Sequence, residues 1–126
     1  MKPKQQRIAI AEACGWAILE HDLYPDESAH RWIVLGPNNK PSRAFVMGGE
    51  SFASYLPDYL NDLNAMHEAE KGLTSTEQQN RYYAEVASIT WGCEETGDRQ
   101  VVFNQLTATA TQRAEAFLRT LGLWVD

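Results

Sequence analysis

The sequence predicts an α+β protein, a compact sandwich in which helices cover a small, mainly antiparallel sheet. Two segments, Pro57 to Gly72 and Thr109 to Trp124, each read as one amphipathic helix with both ends written out. Between the first helix and these two, Arg31 to Leu35 (RWIVL) is the strongest strand signal, rich in β-branched and aromatic residues. With the weaker segments added, the order is α-β-β-β-α-α-β-α within a single domain of residues 1–126.

Residues 4–14 form the first expected helix, closed by Gly15. Trp16 to Glu20 then alternates as a strand does, and the polar run His21 to Ser28, with Pro25 inside it, is a loop. Gly36-Pro37-Asn38-Asn39 separates RWIVL from a third strand, Ala44 to Met47, which ends at Gly48-Gly49. These three strands make an expected antiparallel meander. Pro57 suits the first position of the second helix, where a missing amide donor costs nothing. Leu56, Tyr59, Leu60, Leu63, Met66 and His67 fall on one face of that helix, with Asp58, Asp62 and Glu68 toward solvent. Thr74 and Glu77 have capping-box spacing, and Tyr82, Val86 and Ile89 form the apolar face of a third helix. Ile89 to Trp91 either ends that helix or belongs to a strand. Glu94 to Asp98 is a turn, and Val101 to Phe103 a fourth strand.

The last helix has the clearest signature. Thr109 and Gln112 form a capping box, and Ala110, Ala114, Phe117, Leu118 and Leu121 recur at helical spacing. Arg113, Glu115 and Arg119 lie outside that stripe, with Glu115 four residues before Arg119. Gly122 stands where a left-handed cap is wanted.

Charge is unevenly spread. The chain carries a net −6, yet residues 44–100 hold three basic and ten acidic side chains. Phosphate affinity is driven by Lys and Arg, so this acidic middle argues against a duplex nucleic-acid partner. Two cysteines, Cys14 and Cys93, read as reduced thiols of a cytoplasmic protein rather than a disulfide framework. The longest apolar stretch, Ile8 to Leu19, is interrupted by Glu12 and too short to span a bilayer, so no membrane is expected.

Four strings then resemble a known family. They are the Gly15-Trp16 exit, Leu56-Pro57-Asp58-Tyr59, Asp62 to Lys71 (DLNAMHEAEK) and Ala108 to Trp124. Together they are similar to the phage ABA-sandwich domain family, small proteins encoded by bacteriophages and prophages. The resemblance implies an α/β/α sandwich and a phage or prophage origin, and the expected location is the host cytoplasm. It carries over no active site. Here Ile89 to Leu106 is longer and more strand-like than the usual family connection.

Catalytic signatures are weak. His67 and Glu70 have the i, i+3 spacing some metal sites use, but no HExxH or CxxC accompanies them, and His21 and His30 lie in a loop and at a strand edge. No serine sits in a G-x-S-x-G elbow. Asp58/Asp62 and Glu94/Glu95 read as surface charge, and Gly48-Gly49 as a turn. No metal or cofactor is expected. Ligand recognition has more support, because Trp32, Tyr55, Tyr59, Tyr82, Tyr83 and Trp91 are many amphipathic aromatics for one small domain. The expected lining for a nucleotide-like ligand combines Arg31, Trp32 and Arg43 from the strands with Tyr55, Tyr59 and Arg81. Side chains alternate along a strand, so Arg31 and Trp32 cannot both face that ligand. The expected function is a non-enzymatic, phage-encoded binding protein. As a counter-defence factor it would sequester a nucleotide immune signal or occupy a host protein, with or without forming a homo-oligomer. The alternatives are a small enzyme that degrades such a signal and a structural or assembly protein of the phage.

Overall fold

The computed structural model of the protein describes residues 1–21, 31–36, 41–47, 56–91 and 106–126. Helix α1 (Pro3–Ala13) opens the chain, with the Gln5 side chain accepting from the Lys2 amide at 3.0 Å. It ends at Gly15, whose φ of 92° lies in the left-handed region that a side chain would disfavour. Strands β1 (Ala17–His21), β2 (Arg31–Leu35) and β3 (Pro41–Met47) pair antiparallel in that order. Ala17 faces Leu35 across the first pair and Leu35 faces Pro41 across the second. The second register is irregular: Trp32 pairs with Val46 but Val34 with Ser42, so three residues of β3 stand opposite Ile33.

Helix α2 (Leu63–Glu70) is shorter than the sequence suggests. Pro57 is not its first residue. The chain instead makes a turn over 57–61, with the Asn61 and Asp62 amides both donating to the Asp58 carbonyl at 3.2 and 2.8 Å. Asp62 is the true N-cap, its carboxylate accepting from the Asn64 amide at 2.9 Å. Leu63 is therefore the first helical residue and stays 44% exposed, against the expectation that it packs inward. Helix α3 (Thr76–Trp91) begins one residue later than the Thr74/Glu77 spacing implies, because the Ser75 hydroxyl caps the Gln78 amide at 3.1 Å. It runs through Ile89 to Trp91, which assigns that ambiguous stretch to helix. Helix α4 (Ala110–Thr120) starts on the Thr109/Gln112 capping box and is followed by Gly122 at φ 71°.

The core overturns the expected α+β, α/β/α sandwich. The structure is dominated by helix, and helices pack on helices rather than on the two faces of a sheet. Helix α4 is the central element, lying along α3 and touching α1 and α2, while α1 is the helix that borders the strands, at β1. The described core joins Ile10 and Ala11 of α1, Met66 and Ala69 of α2, Tyr82 and Val86 of α3, and Ala114, Phe117 and Leu118 of α4. Leu56, Tyr59, Leu73 and Ala108 close it from the connections. The physical reason lies in α4, which is buried over a wider arc than its predicted stripe. Ala116 and Thr120 are also buried, Thr120 satisfying its hydroxyl on the Ala116 carbonyl at 2.8 Å. A helix apolar over so much of its surface needs neighbours on several sides, and three other helices supply them.

Two polar ties hold the connections to this body. Arg7 of α1 donates its Nε to the Pro57 carbonyl at 2.8 Å and its Nη2 to Leu56. Thr111 of α4 donates to the Leu60 carbonyl at 2.9 Å. Among the described residues, no helix is long and apolar enough to cross a membrane.

Candidate functional site

Where α2, α3 and α4 converge, three polar side chains meet at one carboxylate. Glu70, the last residue of α2, accepts from the Tyr82 hydroxyl at 2.5 Å and from Arg113 Nη1 at 3.2 Å, both through Oε1. Its Oε2 lies 3.0 Å from His67 Nδ1. Arg113 reaches further, donating Nε to the Ala108 carbonyl at 3.2 Å and Nη2 to the Leu106 carbonyl at 3.5 Å. Helical geometry explains the assembly. His67 and Glu70 are one turn apart on α2, and Arg113 lies in the first turn of α4, whose start is held by the Thr109 cap.

The pair is mostly withdrawn from water, with 19% of the Glu70 side chain exposed and 12% of Arg113. Burial raises the Tyr82 hydroxyl well above its ordinary range, and the hydrogen bond and charge of Glu70 raise it further. It is a fixed donor. Burial by itself would lower the Arg113 guanidinium, but the Glu70 charge and Tyr82 more than offset it, and the net shift is upward. Arg113 therefore stays charged, 3.2 Å from the Glu70 carboxylate.

Beside this network opens a cleft of about 450 Å³, lined by His67, Glu70, Leu73, Gln79, Tyr82, Tyr83, Leu106 and Arg113. That size falls in the range of small-molecule sites, about 300–1,000 Å³. Its outer wall is apolar and open, with Tyr83 55% and Leu106 73% exposed. The Tyr82 and Tyr83 rings lie 6.1 Å apart at a tilt of 54°. A second cleft, of about 320 Å³, lies against Cys14, Trp16 and Tyr59. Its thiol is a poor nucleophile, because burial raises Cys14 above its ordinary value.

The residues of the expected ligand lining belong to several elements. Arg31 and Trp32 belong to β2, and Arg43 to the irregular stretch of β3. Tyr59 is a core residue, 3% exposed, and burial followed by the neighbouring Cys14 raises its hydroxyl. Arg81 is exposed on α3, and Tyr55 lies outside the described residues. So do His30, Gly48-Gly49, Cys93, Glu94/Glu95 and the expected strand Val101 to Phe103. Among the described residues no group of three His, Cys, Asp or Glu side chains is placed to hold a metal ion. His67 and Glu70, noted for metal-site spacing, instead bond to each other. Sequence reasoning missed Arg113 as a site residue. Its position outside the apolar stripe suggested solvent, and no local signal announces a partner 43 residues away.

No protein-family model, curated protein or solved structure matches the chain.

Proposed function

We propose that the protein is a non-enzymatic binding protein that takes a small planar, nucleotide-like ligand into the cleft between α2, α3 and α4. One observation carries this reading. The cleft pairs an exposed aromatic wall, Tyr83, with a polar network whose charged groups are already spent on one another. Glu70 accepts from Tyr82, Arg113 and His67, so it is poorly placed to act as a general base, and Tyr82 is held as a donor. Such a network rigidifies a pocket rather than turning a substrate over. Phage origin, action in the host cytoplasm and a counter-defence role by sequestering a nucleotide immune signal rest on the family resemblance of the helical strings.

Calorimetry with a panel of cyclic and linear nucleotides tests the reading, followed by recovery of the ligand after denaturation. Intact ligand, with binding weakened by Tyr83→Ala, is the expected result. Consumed ligand would make the protein an enzyme. Binding lost in Arg43→Ala but kept in Tyr83→Ala would move the site to the strand-borne residues Arg31, Trp32 and Arg43. No binding across the panel would favour a host-protein partner.

A further inference from the structure

Arg113 spreads its donors over three separate acceptors. Nη1 donates to Glu70 Oε1 at 3.2 Å, Nε to the Ala108 carbonyl at 3.2 Å and Nη2 to the Leu106 carbonyl at 3.5 Å. Glu70 is the last residue of α2, while Leu106 and Ala108 lead into α4. Both segments wall the cleft, the first through His67 and Glu70 and the second through Leu106. Neither is held there by much packing. Leu106 is 73% exposed, and Met66 and Ala69 are the buried residues of α2. With 12% of its side chain exposed, Arg113 is built into the wall rather than extended into solvent.

We propose that Arg113 is the positioning residue of the cleft: its guanidinium holds the end of α2 and the residues leading into α4 in one fixed relation, by its shape rather than its charge. The inference rests on the reading of this cleft as the binding site and adds what sets the cleft's form. A guanidinium is planar and presents its N–H donors in a rigid fork, so three acceptors in different directions are served at once. A lysine ammonium carries the same charge but gathers its donors at one nitrogen, and cannot reach all three. Ligand affinity therefore follows the fork, even for a ligand without a phosphate.

Nitrogen-edited NMR of the full wild-type chain gives a test that needs no variant. Bonds in three directions hinder rotation of the guanidinium, so Arg113 should show separate Nη1 and Nη2 signals. A single averaged signal would overturn the proposal. Hydrogen exchange in Arg113→Lys reads the end of α2, where the Gly72 and Leu73 amides donate to the Ala69 and Glu70 carbonyls at 2.9 and 3.0 Å. These two amides should exchange about tenfold faster, the loss expected with one charge-assisted hydrogen bond, while those of Ala114 to Leu118 change by a smaller factor. Equal acceleration at both places would reduce Arg113 to a contribution to global stability and overturn its positioning role. Added guanidinium chloride, kept below denaturing concentration, should restore slow exchange at Gly72 and Leu73 in Arg113→Ala. The same concentration of ammonium chloride should not, and equal rescue by both would overturn the dependence on shape. Calorimetry with nucleotides and their phosphate-free nucleosides completes the test. Arg113→Lys should weaken both by the same factor, and a loss confined to the nucleotide would overturn the proposal by placing the guanidinium on the phosphate. Absence of any binding to the wild type would remove the reading of the cleft, while the NMR and exchange results would still decide the role of Arg113.

Discussion

Tyr82 illustrates how one residue can serve the core and the cleft together. Its ring is 6% exposed within the core, while its hydroxyl is held by Glu70. Tyr59 is likewise buried, and burial raises both hydroxyls above their ordinary value of 10.0. The folded protein therefore keeps two protons that the unfolded chain releases above about pH 10. Between the unfolded and folded values the unfolded state binds fewer protons, so stability falls as pH rises. The full contribution is present below pH 10 and is lost through the alkaline range at about 1.4 kcal/mol per pH unit for each group. Denaturant melts across that range should show a shallower alkaline decline in Tyr82→Phe than in the wild type. At neutral pH the same variant should be about 2 kcal/mol less stable, having lost a hydrogen bond to a carboxylate. An alkaline slope unchanged by the substitution would mean that Tyr82 ionises as freely in the folded protein as in the unfolded chain.

Element boundaries in this chain are decided by caps. Helix α4 starts where the reciprocal bonds of Thr109 and Gln112 satisfy two amides, at 3.2 Å into the threonine hydroxyl and 2.9 Å into the glutamine carbonyl. Thr109→Ala should cost about 1 kcal/mol, read as a shift in denaturant midpoint with unchanged slope. An unshifted midpoint would show that the cap carries no stability. Helix α2 shows the opposite case. Pro57 is chemically fit for a first helical position, but Asp62 offers a side-chain acceptor that proline lacks, and the turn over 57–61 intervenes. Glu115 and Arg119 of α4 do pair on its outer face at 2.8 Å, as their order suggests, and the Arg119 guanidinium also lies 5.0 Å from the Trp124 ring.

Across the whole molecule, α4 is the element that the other helices share. Amides of Ala114 to Leu118 lie in a helix whose Ala114, Ala116 and Leu118 are fully buried. They should be the slowest to exchange with deuterium, opening only with global unfolding. Backbone amides of the β2–β3 pair should exchange faster, because its ladder is irregular between Trp32 and Val34. Equal protection of strands and α4 would instead indicate one cooperative unit in which the sheet is an equal partner.

Local chemistry was legible in the sequence. The Thr109 capping box, the glycines that take positive φ at 15 and 122, and the inward faces of Tyr82/Val86 and Phe117/Leu118 all follow from neighbours within a few residues. Layering was not. Binary patterning says which face of a helix is buried but not whether a helix or a sheet buries it, because both partners offer the same apolar surface. RWIVL marks a strand without saying which elements would pack on the helices. The cleft was hidden for a related reason. His67 and Glu70 are visible as a spacing on α2, but their meaning depends on Tyr82 and Arg113, brought from two other helices. A charged residue outside an apolar stripe reads as solvated until a distant carboxylate arrives to bury it. The sequence by itself determined that the helices form, the cap that starts α4 and the inward faces of α3 and α4. Only the tertiary structure decided what those faces meet and which charges they enclose, because both depend on contacts between residues far apart in the chain.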